Sequence, residues 1–514
     1  MARNDRRDFL KAGLLTVSGG SFASLLPKLA MAQTASGPML RGASQNYRAM
    51  VCIYLHGGYD AFSAVVPING PARSQYEESR RGTGTGPGGG QQNPSDLRIA
   101  SNSLLVLNQA SGGALAQNGS AYGLHPRMTG LRDLFNAGRA SIVANCGPMV
   151  RPLDLAQYNA GSVALPAQLY SHSDQTVLWQ TPRADATARV GWGGRLADLF
   201  GASNLNPNLA MNLSLDGENV FQAGLSAAPY FVSDSGVESI TRVGPENWQA
   251  RRRDTFNRIM ARNYGHPFER GFRSRVRKAQ DVAVELEAIL RNDRSVGSNG
   301  SETGFNDDTY RPFWDAYGLQ WRRLDQDRAG LPRLGRQLLM IARVMRQRVP
   351  LQMSRQLFFA ASGGFDTHDN QNADMPDLLA DLSQGIRGFQ AVVDGLGLLD
   401  SVTTFTASEF GRTLSNNGDG TDHGWGNHHF VIGGQVNGGR IFGTMPHLGL
   451  TGNPRNAGWG QIIPTLSADQ YAATLATWYG LSNADRDNLV FPLAQQMIGP
   501  NVSIQGPNLG FMQA

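Results

Sequence analysis

Cysteine is nearly missing from this chain: Cys52 and Cys146 are the two present among 514 residues. That count excludes a disulfide scaffold and a four-cysteine zinc site. Both sit in apolar runs, VCIYL and SIVANC, so two packed thiols are expected. Charge is scarce as well, at 17% of residues against 41% hydrophobic, which leaves an ordinary globular composition. The net charge of +5 belongs partly to the N-terminal segment and is otherwise spread out. In the richest basic stretch, Arg251 to Lys278, acids and apolar residues are interleaved at helical spacing. A solvated helix face is expected there, and nucleic acid is not an expected partner. Beyond the N-terminal segment no run is long and apolar enough to span a bilayer, so a soluble product without a stable membrane span is expected.

What is present begins at the first residues. Arg6 and Arg7 open the string RRDFLK, a weakly apolar run extends from Ala12 to about Leu26, and Ala30-Met31-Ala32 is a small-x-small cleavage site. Those parts in that order make residues 1–32 a twin-arginine signal peptide. The expected partner is the twin-arginine export machinery, and the expected location is periplasmic or extracellular. Since this route carries folded cargo, metal can be loaded before export.

Residues 33–514 read as one domain of α/β class. Ala49–Leu55 is an apolar run of strand type, buried on both faces, ending in His56-Gly57-Gly58-Tyr59-Asp60. The run 82–94 is low-complexity and expected to be a mobile surface loop. A helix over about Met128–Asn136 leads into a strand at Ser141–Asn145, and another helix starts near Gly193. From Glu246 to Asn292 and from Leu319 to Gln347 the helical period dominates, which predicts a helix-rich insertion over about 246–350. Strand-then-loop units return with Gln356–Ala361, a helix over about Met375–Leu396, and Val402–Ala407. Alternation of this kind predicts a mainly parallel sheet with helices on both faces, whose ligands collect beyond the carboxyl ends of the strands.

Three such strand ends deliver His56/Asp60, Asp366/His368 and Glu409/Arg412. Most of the nine histidines fall in loops, including His172 and the run Asp422-His423-Gly424-Trp425-Gly426-Asn427-His428-His429. Adjacent Asp and His offer a hard oxygen and an imidazole from one loop, a donor pair that suits a divalent cation. With Asp60, Asp366 and His368 there are donors enough for one or two ions: zinc, manganese, calcium or magnesium. Arg412 beside Glu409 reads equally as an anion clamp or a buried ion pair. Trp179, Trp192 and Trp425 admit a polysaccharide-binding role, although indoles more often lid a core.

The segments LHGGYDAFSAVVP, LHPRM, SHSDQTVLWQ, GWGGRLAD, FDTHDNQ and SEFGRTLSNNGDGTDHGWGNHHFVIGG together resemble the bacterial domain-of-unknown-function family 1501. They run in order along nearly the whole chain after its signal. That family is commonly exported by the twin-arginine route and is grouped with the alkaline phosphatase and sulfatase superfamily. The resemblance therefore implies a helix–sheet–helix sandwich and a metal-dependent hydrolase of phosphate or sulfate esters. Carried over by position, Asp60 matches the first metal aspartate, Asp366 and His368 the next loop, and Asp422-His423 the late motif, with His428 or His429 as last imidazole. The departure is at the nucleophile. Cys146-Gly147-Pro148-Met149-Val150-Arg151 misses the sulfatase pattern by a Met in place of a Ser. Ser173 or Ser171 then stands as candidate nucleophile, and Arg412 would hold the anionic group of a small ester or polymer substrate. The alternative is an exported, non-catalytic binding or assembly protein on the same fold.

Overall fold

The computed structural model of the chain describes residues 47–513 apart from 82–94, 109–115, 182, 185–188, 207–208, 237–249, 297–301 and 322–329. The expected signal peptide and the expected mobile loop at 82–94 lie outside the described residues.

Among the described residues the main sheet has nine strands. In chain order they are β1 (Arg48–Leu55), β2 (Ala140–Gly147), β3 (Asn212–Ser214), β4 (Tyr230–Phe231), β5 (Arg355–Ser362), β6 (Val402–Ala407), β7 (Asn427–Ile432), β8 (Ile441–Phe442) and β9 (Leu466–Ser467). Across the sheet the order is β8-β2-β7-β6-β1-β5-β3-β4, with β9 also beside β2. All neighbours run parallel except β7, which is antiparallel to β6 and to β2.

The sequence of β1 explains the layering. RAMVCIYL is apolar at almost every position, and strand alternation sends successive side chains to opposite faces. Ala49, Val51, Ile53 and Leu55 enter one core, while Met50, Cys52 and Tyr54 enter another. The principal helices are α1 (Thr129–Asn136), α2 (His172–Gln180), α3 (Trp192–Phe200), α4 (Ala250–Ala261), α5 (Pro267–Leu290), α6 (Arg333–Arg346), α7 (Gln371–Gly395) and α8 (Ala468–Tyr479). The first core receives Leu131 of α1, Ile341 of α6 and Phe389 of α7; the second receives Trp179 of α2, Leu196 of α3 and Tyr471 of α8. Helices thus cover both faces of a mostly parallel sheet, as expected. Each fully buried Leu, Ile or Phe stabilises by about 1.5–3 kcal/mol, so a one-residue slip of β1 would sacrifice both cores together.

Cys52 and Cys146 are free and buried, and burial pushes both thiols up from the usual range. Of the helical stretch expected from Leu319 to Gln347, residues 322–329 lie outside the described residues and α6 begins at Arg333. His428 and His429, read as loop residues, belong to β7. Two consecutive histidines after a glycine-rich segment carry no apolar alternation, so this strand is set by pairing with β6 and β2. Among the described residues no helix is long and apolar enough to cross a membrane.

Candidate metal centre

The site follows from register. Leu55 of β1 lies opposite Ser362 of β5, and Tyr54 opposite Ala407 of β6, so three parallel strands end level. Their loops, 56–60, 363–368 and 408–412, start from one edge and touch through backbone. A Cβ on Gly57 (φ 117°) would stand 2.2 Å from the Asp366 nitrogen, and one on Gly58 (φ 76°) 2.2 Å from the Phe410 ring. No other residue fits at either place. Arg412 then ties the loops together. Its Nε donates to the Gly58 carbonyl (2.9 Å), Nη2 to those of Gly57 (2.8 Å) and Phe365 (3.2 Å), and Nη1 to that of Thr421 (3.0 Å). Nη2 also makes a short contact with the Asp366 carboxylate. Segment 411–413 lies against 422–425 through Thr413 N–H to Asp422 O (2.9 Å) and Gly424 N–H to Gly411 O (2.7 Å), which carries His423 into the same edge.

His172 from the start of α2, Asp366 and His423 each place one donor atom within 4.8 Å of the other two. His423 Nε2 is 3.1 Å from His172 Nε2, 2.8 Å from His368 Nε2 and 3.3 Å from Asp366 Oδ1. The Asp366 carboxylate is also 3.2 Å from His368 Nε2 and 3.4 Å from His172 Nε2. Each ring's other nitrogen has an acceptor: Glu409 for His172 (2.8 Å), Asp422 for His368 (2.9 Å) and the Tyr170 carbonyl for His423 (2.7 Å). A ring whose Nδ1 carries the proton presents only a lone pair at Nε2. Three such lone pairs and a carboxylate then face one another. A shared proton can bridge one of those contacts; a divalent cation satisfies all of them. The residues therefore fit a metal ion, with oriented outer partners of the kind that fix ligating histidines.

Electrostatics agree with that arrangement. The hydrogen bond to Glu409 raises His172 above the usual histidine range, against the opposing effect of partial burial. Burial is the main cause that lowers His423, with Arg412 adding to it. For Asp366 burial alone would raise the carboxyl, but the Arg412 guanidinium outweighs it and holds the group below the usual carboxylate range. Glu409 is buried yet also held low, because His172 and backbone amides including that of Gly57 donate to it. The side chains of His172, His368 and Asp366 remain 37%, 42% and 47% exposed, which leaves the donors open to a small molecule.

The model of the family described as "Protein of unknown function (DUF1501)" matches residues 47–458, a span containing every residue of this cluster. The chain belongs to the DUF1501 family. No curated protein matches it in sequence. Among solved structures it is similar to Ps i-CgsB at 10% identity and a TM-score of 0.31, covering 90% of this chain and 78% of that one. It is similar to the lipoteichoic acid synthase LtaP from Listeria monocytogenes at 8% identity and a TM-score of 0.30, covering 90% and 80%. Likeness to the PsFucS1 sulfatase from Pseudoalteromonas sp. is at 10% identity and a TM-score of 0.30, covering 93% and 74%. At such scores these superpositions assign the DUF1501 chain neither their reactions nor their substrates.

Of the expected ligands, Asp366, His368 and His423 come together, while Asp422 stands one step back, accepting from His368 and from Asn417 (2.9 Å). Asp60 is placed elsewhere, which corrects the sequence reading. Its carboxylate accepts from both Arg80 Nη atoms (2.7 and 2.8 Å), Ser63 Oγ (2.6 Å), Phe62 N–H (3.1 Å) and Gln371 Nε2 (2.8 Å). A carboxylate has about four lone-pair positions, so nothing is left for a metal. His428 is also outside the cluster: it is buried in β7, with Nδ1 accepting from the Asn145 amide at 3.0 Å. His56 faces Asp216 at 3.6 Å. The Ser171 hydroxyl donates to Asp174 (2.6 Å) and also meets Ser173 (3.3 Å), so both hydroxyls turn to Asp174 and His172 between them enters the cluster. Arg412 pairs with Asp366 and not with Glu409: its side chain is 0% exposed and its N–H groups are taken by that carboxylate and by backbone carbonyls, leaving none to clamp an anion. Trp179, Trp192 and Trp425 are buried lids of the core. The sequence reading missed His172 and Glu409 as partners; the serine-histidine-serine motif and the strand-end glutamate were their signals.

Proposed function

We propose that the chain is an exported, metal-dependent hydrolase of phosphate or sulfate esters, working at the carboxyl edge of the sheet. The observation that carries this reading is the convergence of three imidazole Nε2 atoms on Asp366, each ring oriented from behind. His172, Asp366 and His423 would hold one ion, with His368 as the further donor. A bound divalent cation would polarise an ester oxygen. An imidazole-rich set suits zinc better than manganese, calcium or magnesium, which take mainly oxygen ligands. Glu409, Asp422 and the Tyr170 carbonyl keep the rings in the tautomer that ligates. Arg412 fixes Asp366 and so positions a ligand instead of touching substrate. Ser171 and Ser173, turned to Asp174, favour a second reading: a non-catalytic exported binding or assembly protein that keeps the metal.

Elemental mass spectrometry of the native chain beside a His423→Ala, Asp366→Ala double variant tests the proposal. Tightly held zinc is expected in the native chain and absent from the variant, with hydrolysis of aryl phosphates or sulfates lost in parallel. Turnover that survives without metal would overturn the hydrolase reading. Metal retained by a native chain without turnover on any such ester would favour the binding protein.

A further inference from the structure

Between Arg251 and Lys278 the chain carries ten arginines and lysines against two carboxylates, Asp254 and Glu269. This stretch forms α4 and the N-terminal half of α5. Helix α4 has no buried residue. The two halves of α5 differ sharply. Val282, Leu286 and Leu290 are packed into the first core, whereas residues 267–272 are all exposed. The turn between the helices is built from side chains: Arg270 Nη1 donates to the Gly265 carbonyl (2.6 Å) and Arg273 Nη1 to that of Arg262 (2.6 Å). An anchored helix thus holds out a basic two-helix segment in which Phe268, Phe272 and Ile259 are exposed among the described residues. Phe268 is 81% exposed, Phe272 70% and Ile259 41%. Phe268 and Phe272 are four residues apart, so they share one face of α5.

We propose that this two-helix segment is a docking surface for an anionic phospholipid bilayer. Arginines on both helices match a negatively charged headgroup layer, and exposed phenylalanines gain by leaving water only where the partner has an apolar interior. A second copy of the same surface is disfavoured by its own charge, since ten cations would face ten cations. A soluble polyanion would satisfy the arginines and leave Phe268, Phe272 and Ile259 in water. The lipid surface answers both halves of the pattern. Docking there would hold the chain at a membrane face without a spanning helix and is independent of the metal centre.

Flotation of the full chain with phosphatidylglycerol–phosphatidylcholine vesicles, beside pure phosphatidylcholine vesicles, is the test. The native chain is expected to float with the anionic vesicles only. Phe268→Ser with Phe272→Ser, at unchanged charge, and Arg251→Gln with Arg252→Gln and Arg275→Gln should each reduce the bound fraction about tenfold. All three chains share one N-terminal segment, so differences between them report on the two-helix segment alone. The substituted positions are exposed, and an unchanged thermal midpoint checks that each variant is folded. No flotation of the native chain overturns the proposal. So does a phenylalanine variant that floats like the native chain, or retention of both on a heparin column without vesicle binding, which would assign the surface to an acidic polysaccharide.

Discussion

At the residue scale, the centre depends on groups that would never touch a metal. His172 is exposed enough to rotate, and Glu409, 2% exposed in its side chain, is what stops it. The glutamate is fixed in turn by the Gly57 amide (2.8 Å), so ring orientation passes from a backbone N–H through a carboxylate to an imidazole. Glu409→Gln keeps the shape but offers an amide that can present either a donor or an acceptor to Nδ1. Metal affinity, followed by competition with a chelator, should fall roughly 10–100-fold while the fold persists. An unchanged affinity would mean that His172 is not a ligand.

Elements meet at the Asp60 carboxylate, and its role is larger than that of a ligand. It caps the one-turn helix Ala61–Ala64, pairs with Arg80 at the end of the helix Gly70–Arg80, and accepts from Gln371, the first residue of α7. Burial opposes its ionisation, and Arg80 outweighs burial and keeps it charged. Gln371 Oε1 in turn accepts from Thr367 (3.1 Å) and Thr421 (2.7 Å), the neighbours in sequence of Asp366, His368 and Asp422. This is a foundation beneath the ligand loops. Arg80→Met would strand Asp60 as an unpaired buried charge, a cost of about 3–5 kcal/mol. Denaturant unfolding should show that loss while the folded fraction keeps its metal. Metal lost at unchanged stability would return Asp60 to the ligand set.

For the whole molecule, acid is the expected weakness. His428 and His429 are completely buried in β7, and burial lowers them to about 4 and about 3. His429 packs between Trp179 and Tyr471 with ring centroids 4.6 and 5.7 Å away. An unfolded histidine takes its proton near pH 6.5, whereas these folded ones resist it until far lower pH. Above pH 6.5 both states are neutral and the pair contributes nothing to the pH dependence. As pH falls from 6.5 toward 4 the unfolded chain binds protons that the folded chain refuses, and stability drops. Between pH 7 and 5 the loss should be about 2 kcal/mol for each imidazole. Denaturant melts at the two pH values check it, and His429→Leu should remove its share. An equal slope in that variant would sink the assignment.

Much of this was legible in the sequence, and the reason is physical. AMVCIYL is apolar at consecutive positions and VTTFTA is β-branched or aromatic at all but its last, which suits strands covered on both faces, and glycines after them mark loops that must pass close together. The layered α/β class, the two packed thiols, and Asp366, His368 and His423 as loop donors follow from that local grammar, and the family from the resemblance of its motifs in order along the chain. Sequence alone also places donors at the strand ends, because parallel strands in register end level. It does not say which donor is free. Asp60 is neutralised by Arg80 and Gln371, His172 arrives from a helix far from the loops it meets, and Arg412 is exhausted by carbonyls of three loops. Whether a carboxylate or guanidinium has a vacant position depends on partners brought from remote parts of the chain, and tertiary packing alone assigns those partners.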